Sequence, residues 1–187
     1  METVVGENVS PQADLLCAFV NTLDVDVDAD PHEALPDAAA LTDWLRRHDL
    51  LDADDRADKR DLDLALTLRS GLREALVRHH DGDHTSRVPD LDAAATALSL
   101  RVVFDGTRPR LVPALGGARG GLARLLVAVT EAQADDAWAR VKLCGADDCQ
   151  LAFYDTSKNR SRRWCSMGSC GNRQKTRTYR ARQRAKS

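Results

Sequence analysis

Cys144, Cys149, Cys165 and Cys170 are the residues of this 187-residue chain whose types and spacing could do chemistry. They fall as C-x4-C, an insert of fifteen residues, and C-x4-C. Two short cysteine hooks about a hairpin-length insert can set four thiolates around one tetrahedral zinc, each sulfur about 2.3 Å from the metal. Each hook must close a tight loop, and Gly145 and the Gly168-Ser169 pair supply the backbone freedom for it. With sulfur in every position the metal keeps no open site for water. The expected cofactor is therefore one structural Zn2+, and no catalytic role follows from it.

The elements that must position these sulfurs are short. Residues 150–154 and 161–164 read as two strands joined by a turn at 155–159, a β-hairpin between the hooks. Phe153, Tyr154 and Trp164 are the large apolar groups available to cover the metal. So small a core depends on zinc binding for most of its folding free energy. Beyond the second hook, Asn172 reads as the N-cap of a helix in which Arg173, Arg177, Arg180 and Arg184 form one stripe, widened by Lys175, Arg182 and Lys186.

A helix that is polar all round and of one sign repels itself, and a phosphate backbone removes that repulsion. Residues 156–187 hold 11 of the 27 basic residues and none of the 29 acidic ones, leaving 16 basic against 29 acidic in residues 1–155. A body of net charge −13 thus precedes a segment of +11, a division hidden in the overall −2. The candidate nucleic-acid contacts are Lys158, Arg160, Arg162 and Arg163 from the hairpin, with Asn172, Arg173, Lys175, Arg177, Arg180 and Arg184 from the helix. Base reading is expected at Asn172, Arg173 and Arg177, and phosphate contact elsewhere. A plainer use exists for Arg162, Arg163 and Arg173, which can offset the net −2 of a zinc tetrathiolate.

Residues 1–140 read mostly as helix, giving a mainly α fold with a small β-hairpin. Ser10-Pro11 opens a helix with Leu15, Leu16, Phe19, Val20 and Leu23 at helical spacing. Pro36 opens a short one carrying Leu41, Trp44 and Leu45. A longer helix over 58–79 turns Ala65, Leu68, Leu72, Ala75 and Leu76 inward, and Pro89 starts another. Residues 98–104 alternate in hydropathy, Asp105-Gly106 suggests a two-residue turn, and the return strand passes Leu111; that turn sets Leu100 opposite Leu111 and Val102 opposite Pro109. After the GGARGG break, a last helix over 121–139 bears Leu122, Leu125, Leu126, Val129 and Ala132. The domain boundary is placed near residue 140, with no flexible linker before Cys144.

Composition excludes several classes. No apolar run reaches the 18 residues of a membrane span, and no basic-then-apolar leader precedes the first helix. A cytoplasmic location is expected, where cysteines stay reduced, and the Ala-, Arg- and Asp-rich composition suggests a GC-rich bacterial source. Asp24, Asp26, Asp28 and Asp30 imitate a calcium loop, but Ala29 and Leu35 stand where glycine and glutamate are required, so a solvated acidic loop is the reading. His79, His80 and His84 read as a helix end and loop and Cys17 as a small core residue, while Asn21-Thr22 suits either a polar pair lining a ligand pocket or, as the favoured reading, a C-terminal helix cap. No nucleophile–base pair or phosphate loop is present, so an enzyme is not expected.

Cys144 and Cys149 followed by FYDTSKNRSRRWCSMGSCGNR, including Cys170-Gly171-Asn172-Arg173, resemble the CGNR zinc finger. Phe19-Val20-Asn21-Thr22-Leu23 and Asp43-Trp44-Leu45 look like the ABATE domain that precedes this finger in bacterial stress-induced transcription regulators. The resemblance implies a DNA-binding regulator with a helical domain that senses a signal or binds a partner. Two other outcomes stay open: a finger that binds RNA, and a protein-interaction module whose basic tail docks on its own acidic body.

Overall fold

The structure is a computed structural model that describes residues 10–25, 32–83 and 85–184. Helix α1 (Pro11–Val20) buries Ala13, Leu16, Phe19 and Val20. It is followed by a minimal antiparallel pair, β1 (Leu23–Asp24) and β2 (His32–Glu33). Asp24 therefore sits in a strand opposite His32, while Asp26, Asp28, Ala29 and Asp30 of the acidic loop, like His84, lie outside the described residues. Helix α2 (Ala38–Arg47) starts two residues after Pro36 because Asp37 is the cap, its carboxylate accepting from the Ala40 N–H at 2.8 Å.

Helix α3 (Lys59–Asp81) opens with a capping box between Asp58 and Asp61 and closes on Gly82, whose φ of 68° is the left-handed cap. Its expected stripe, Ala65, Leu68, Leu72, Ala75 and Leu76, is buried throughout. Helix α4 (Pro89–Ala97) lies against it. The contact is close: a Cβ on Gly71 would stand 2.4 Å from the Leu91 backbone nitrogen.

Strands β3 (Leu100–Asp105) and β4 (Arg108–Pro113) form the expected hairpin with a shifted register. The turn residues are Gly106 and Thr107, so Leu100 faces Pro113, Val102 faces Leu111 and Phe104 faces Pro109. Gly106, at φ 61°, takes the first central position, which a type II′ turn reserves for glycine. A two-residue shift preserves the faces of a strand, so the apolar face is unchanged. Helix α5 (Gly117–Ala134) begins inside the glycine-rich break and ends before residue 139. Its glycines serve packing, since a Cβ on Gly120 or Gly121 would stand 2.4 Å from the Leu115 carbonyl or 2.5 Å from that of Leu50.

One core joins α1, α2, α3 and α5, with the Phe19 and Trp44 rings 5.2 Å apart. A turn of 3-10 helix (Trp138–Arg140) then leads into β5 (Val141–Leu143), which packs on α3 and pairs antiparallel with β6 (Ala152–Tyr154), which packs on α1. Val141, Leu143 and Ala152 belong to the same buried core as Leu16 and Leu68. Mainly helical body and small antiparallel pairs together give the expected fold class. Among the described residues no helix is long and apolar enough to cross a membrane.

Candidate metal centre and basic arm

The hairpin of the finger is not the one expected between the hooks. Strand β6 pairs with β5, in the register Val141↔Tyr154, Lys142↔Phe153 and Leu143↔Ala152. The first hook is therefore the tip of this hairpin, and residues 161–164 form no strand. The ladder extends by one bond, Cys144 N–H to the Leu151 carbonyl at 2.8 Å. The Ala146 carbonyl then accepts from Cys149 at 3.0 Å and Gln150 at 3.3 Å, and Gln150 turns at φ 49°. The Gly145 N–H donates to the Arg163 carbonyl at 2.8 Å, lacing the first hook to the segment that enters the second.

The second hook closes differently. Ser166 accepts from the Ser169 N–H at 3.3 Å and caps a π turn (Met167–Gly171) that carries Cys170 and runs straight into helix α6 (Asn172–Arg184). The cap is thus Ser166, and Asn172, with helical φ and ψ, lies inside the helix and donates to the Gly168 carbonyl at 3.2 Å. A π turn opens the ring by one residue, which brings Cys170 back to the first hook without interrupting the helix that follows.

All four sulfurs lie within 4.8 Å of one another, with Cys149 to Cys165 at 3.6 Å and Cys165 to Cys170 at 3.7 Å. A tetrahedron of sulfurs about 2.3 Å from zinc has edges of about 3.8 Å, so the cluster already has the size of the zinc site. Hydrogen bonding from Cys165 pulls the Cys144 thiol down to about 5. Burial and the Cys144 charge push Cys149 up to about 11, and Cys165 is raised by its bond to Cys144 and by burial. One thiolate thus opposes the next, and a dication is what lets all four ionise together. The four cysteines fit one structural zinc ion, covered by Ala146, Phe153 and Trp164. Tyr154, expected to join this cover, packs on the helical core instead.

Buried charges tie the pieces together. Asp155, which the sequence placed in a turn, is fully buried; it accepts from Lys142 Nζ at 2.7 Å, Ser157 N–H at 2.9 Å and Arg162 N–H at 2.9 Å. Burial alone would raise its carboxyl, but these donors together hold it at about 2. Lys142 also donates to the Arg160 carbonyl at 2.5 Å. Asp148, beside Cys149, is also buried and lies 3.0 Å from Arg173 Nε and 2.8 Å from Arg177 Nη2, held by charge without aligned hydrogen bonds. These pairs pin the first turns of α6 to the first hook. Asp147, Asp148 and Asp155 are the only acids after residue 136, which is the signal in the sequence that they are special.

Two body residues grip the finger. Asn21 does end α1, and its carboxamide also forms a two-bond pair with Ala152, donating to the carbonyl at 3.0 Å and accepting from the N–H at 2.7 Å. It thereby satisfies the outer edge of β6. Arg73 of α3 donates to the Gln150 side chain at 3.2 Å and to the Val20 carbonyl at 3.3 Å. Behind them, Arg69 joins Thr22 and Glu33 at 2.9 and 2.8 Å, and its hydrogen bond is the chief reason the Glu33 carboxyl is held down. Of the three histidines, His79 meets the Val141 carbonyl at 2.9 Å and stacks edge-on against Trp138.

The candidate contact residues divide by their partners. Arg162 donates to the Trp164 and Cys165 carbonyls and covers the Phe153 ring at 5.1 Å; Arg173 reaches Cys170 Sγ at 3.4 Å as well as Asp148. Arg160 reaches Asp136 at 2.5 Å. Lys158, Arg163, Asn172, Lys175, Arg180 and Arg184 are exposed. Among the described residues, α6 packs chiefly on the turn that launches it and is tied to the first hook through Arg173 and Arg177.

Two family models match this chain. The CGNR zinc finger matches residues 140–183, and a family described as "Putative stress-induced transcription regulator", ABATE, matches residues 13–146. The two matches overlap at 140–146, where β5 leaves the helical core for the first hook. No curated protein matches the chain.

Proposed function

Because the chain belongs to the ABATE family and carries a CGNR zinc finger, we propose that it is a transcription regulator whose zinc-held arm binds duplex DNA. The observation that supports this most is the unpaired charge on the arm. Lys158, Arg163, Lys175, Arg180, Arg182 and Arg184 are exposed and make no ion pair among the described residues. Six cations gathered on the segment the cysteines hold, with their self-repulsion uncompensated, favour a polyanion.

Arg173 and Arg177 are aimed by Asp148, and exposed Asn172 lies beside them, so base reading is assigned to this first turn. Arg162 is assigned to support of the metal site, and Arg160 to the seam with the body. The zinc is scaffolding in this reading. A domain of residues 1–140 supplies the regulatory input, and residues 141–187 the contact with DNA.

The test is binding of the full zinc-loaded chain to a generic DNA duplex across salt concentrations, with duplex RNA as competitor. Neutralising about six phosphates predicts a slope of log K against log salt of roughly −5. A slope near zero, or RNA displacing DNA at equal concentration, overturns the proposal. Of the α6 cations only Arg173 and Arg177 pair with an acid among the described residues, Asp148 beside the metal site, which does not favour docking of the whole arm on the acidic body.

A further inference from the structure

The β3–β4 hairpin carries two exposed large hydrophobic residues that no function has yet absorbed. Val102 is 57% and Phe104 70% exposed, on a face that also carries Pro109 and Leu111. A phenylalanine and a valine left open side by side on a soluble body mark a contact site. The hairpin leans on the helical core chiefly through β4, against α5, with Leu100 at the start of β3 also reaching the core.

The two edges of the hairpin differ. The Ala114 N–H donates to the Ser99 carbonyl at 2.9 Å, which fixes the alternation of the ladder. By that parity Arg101, Val103 and Asp105 bond inward to β4, while the backbone groups of Leu100, Val102 and Phe104 point away from it. On β4 the outward positions are Pro109, Leu111 and Pro113, so proline removes two of its three outward donors. The β4 edge is closed to a further strand. The β3 edge contains no proline, pairs with no further strand among the described residues, and makes its one extended contact with β4.

An open edge pairs with another strand, and β3 is complementary to itself. We propose that β3 is a homodimerisation edge, pairing antiparallel with β3 of a second copy about a two-fold axis at Val103. In that register Val102 of each copy bonds to Phe104 of the other, joining the exposed apolar residues on one face. On the opposite face Val103 meets its own counterpart, flanked on both sides by Arg101 opposite Asp105 of the second copy. Those flanking positions are the non-hydrogen-bonded ones, where facing side chains approach closest. Moving the register by two residues in either direction sets Arg101 opposite Val103 or Thr107, so charge complementarity selects this one. The dimer is independent of the DNA reading, and its test uses no nucleic acid.

The test is sedimentation equilibrium of the full zinc-loaded chain, with Arg101→Asp, Asp105→Arg and the double exchange, far-UV circular dichroism serving as the folding control. The wild type is expected to associate to twice its 20.5 kDa. Each single exchange sets like charges opposite one another twice and is expected to weaken association about tenfold or more, and the double exchange to restore it. A monomeric wild type overturns the proposal. So does a dimer indifferent to both single exchanges, or a double exchange as weak as the singles.

Discussion

Asp155→Asn tests the reasoning about buried charge most directly. The substitution keeps the shape of the side chain but removes the carboxylate that faces Lys142 at 2.7 Å, at a site where Asp155 is fully buried and Lys142 only 6% exposed. Its carboxamide oxygen, placed where Oδ2 stood, can still accept from Lys142 and Arg162, but it carries no charge and the amide nitrogen opposes the Ser157 N–H. Breaking a buried pair by removing one partner costs about 3–5 kcal/mol. Lys142 keeps the Arg160 carbonyl at 2.5 Å and the Arg162 carbonyl at 3.5 Å, which places the cost near the lower end, about 3 kcal/mol. A structural zinc contributes about 10–16 kcal/mol, so the finger still folds when zinc is saturating. Folding and metal binding are linked, however, and about 3 kcal/mol corresponds to about a hundredfold weaker zinc affinity. Competition with a chromophoric zinc chelator at neutral pH reads this directly. An affinity within about threefold of wild type refutes the argument. Replacing both partners, Lys142→Met with Asp155→Leu, removes the unpaired charge and is expected to recover most of the loss.

Four further outcomes are expected. Asn21→Ala strips both bonds from the edge of β6 and costs about 2 kcal/mol, seen as a Tm lower by about 5 °C and faster hydrogen exchange at Ala152; an unchanged exchange rate there contradicts the clamp. Gly71→Ala drives a Cβ into the Leu91 backbone and costs about 1–3 kcal/mol by denaturant titration, whereas Gly116→Ala, with nothing within 4 Å, stays within about 0.5 kcal/mol of wild type; equal effects refute the packing argument. Chelating the zinc lowers the main thermal transition as well as unfolding the finger, because Val141, Leu143 and Ala152 lie in the helical core; a main transition untouched by chelator counts against that continuity. The Asp83 carboxyl is held at about 2, below the ordinary 3.8, first by Ser86 and then by Thr85. A depressed folded value gives stability that is full above about pH 4 and lost as pH falls through about 2, so the stability gap between wild type and Asp83→Asn closes over that window. A gap independent of pH would exclude this role.

What could be read from the chain follows the length over which each signal repeats. Helix α3 shows its stripe over about three turns, and Leu68, Leu72 and Leu76 are buried as their spacing requires. The cysteines are legible because four sulfurs have few other uses in one segment. The pairing of β6 is not legible, because three residues are too few for an alternation to choose between β5 and residues 161–164. The register of β3 on β4 slips by two residues because Asp-Gly and Gly-Thr both suit a tight turn, and only the observed one sets Asp105 opposite Arg108. Asn21 reads correctly as a cap, but no local pattern announces a partner 131 residues away. The arginines of the arm look alike in sequence; Asp148, which pairs with Arg173 and Arg177, and Asp136, which pairs with Arg160, set these three apart.

The position of β5 and β6 in the helical core bears on how the chain is made. Synthesis runs from the N-terminus, and domains commonly fold as they emerge. Here a nascent chain that has reached residue 140 has produced α1, α2, α3 and α5 yet still lacks Val141, Leu143 and Ala152. Asn21 and Arg73 wait with it, their polar ends facing places that Ala152 and Gln150 will fill. The last layer of the body arrives together with Cys144 and Cys149, so completion of the core and assembly of the first half of the metal site fall at the same late stage of synthesis.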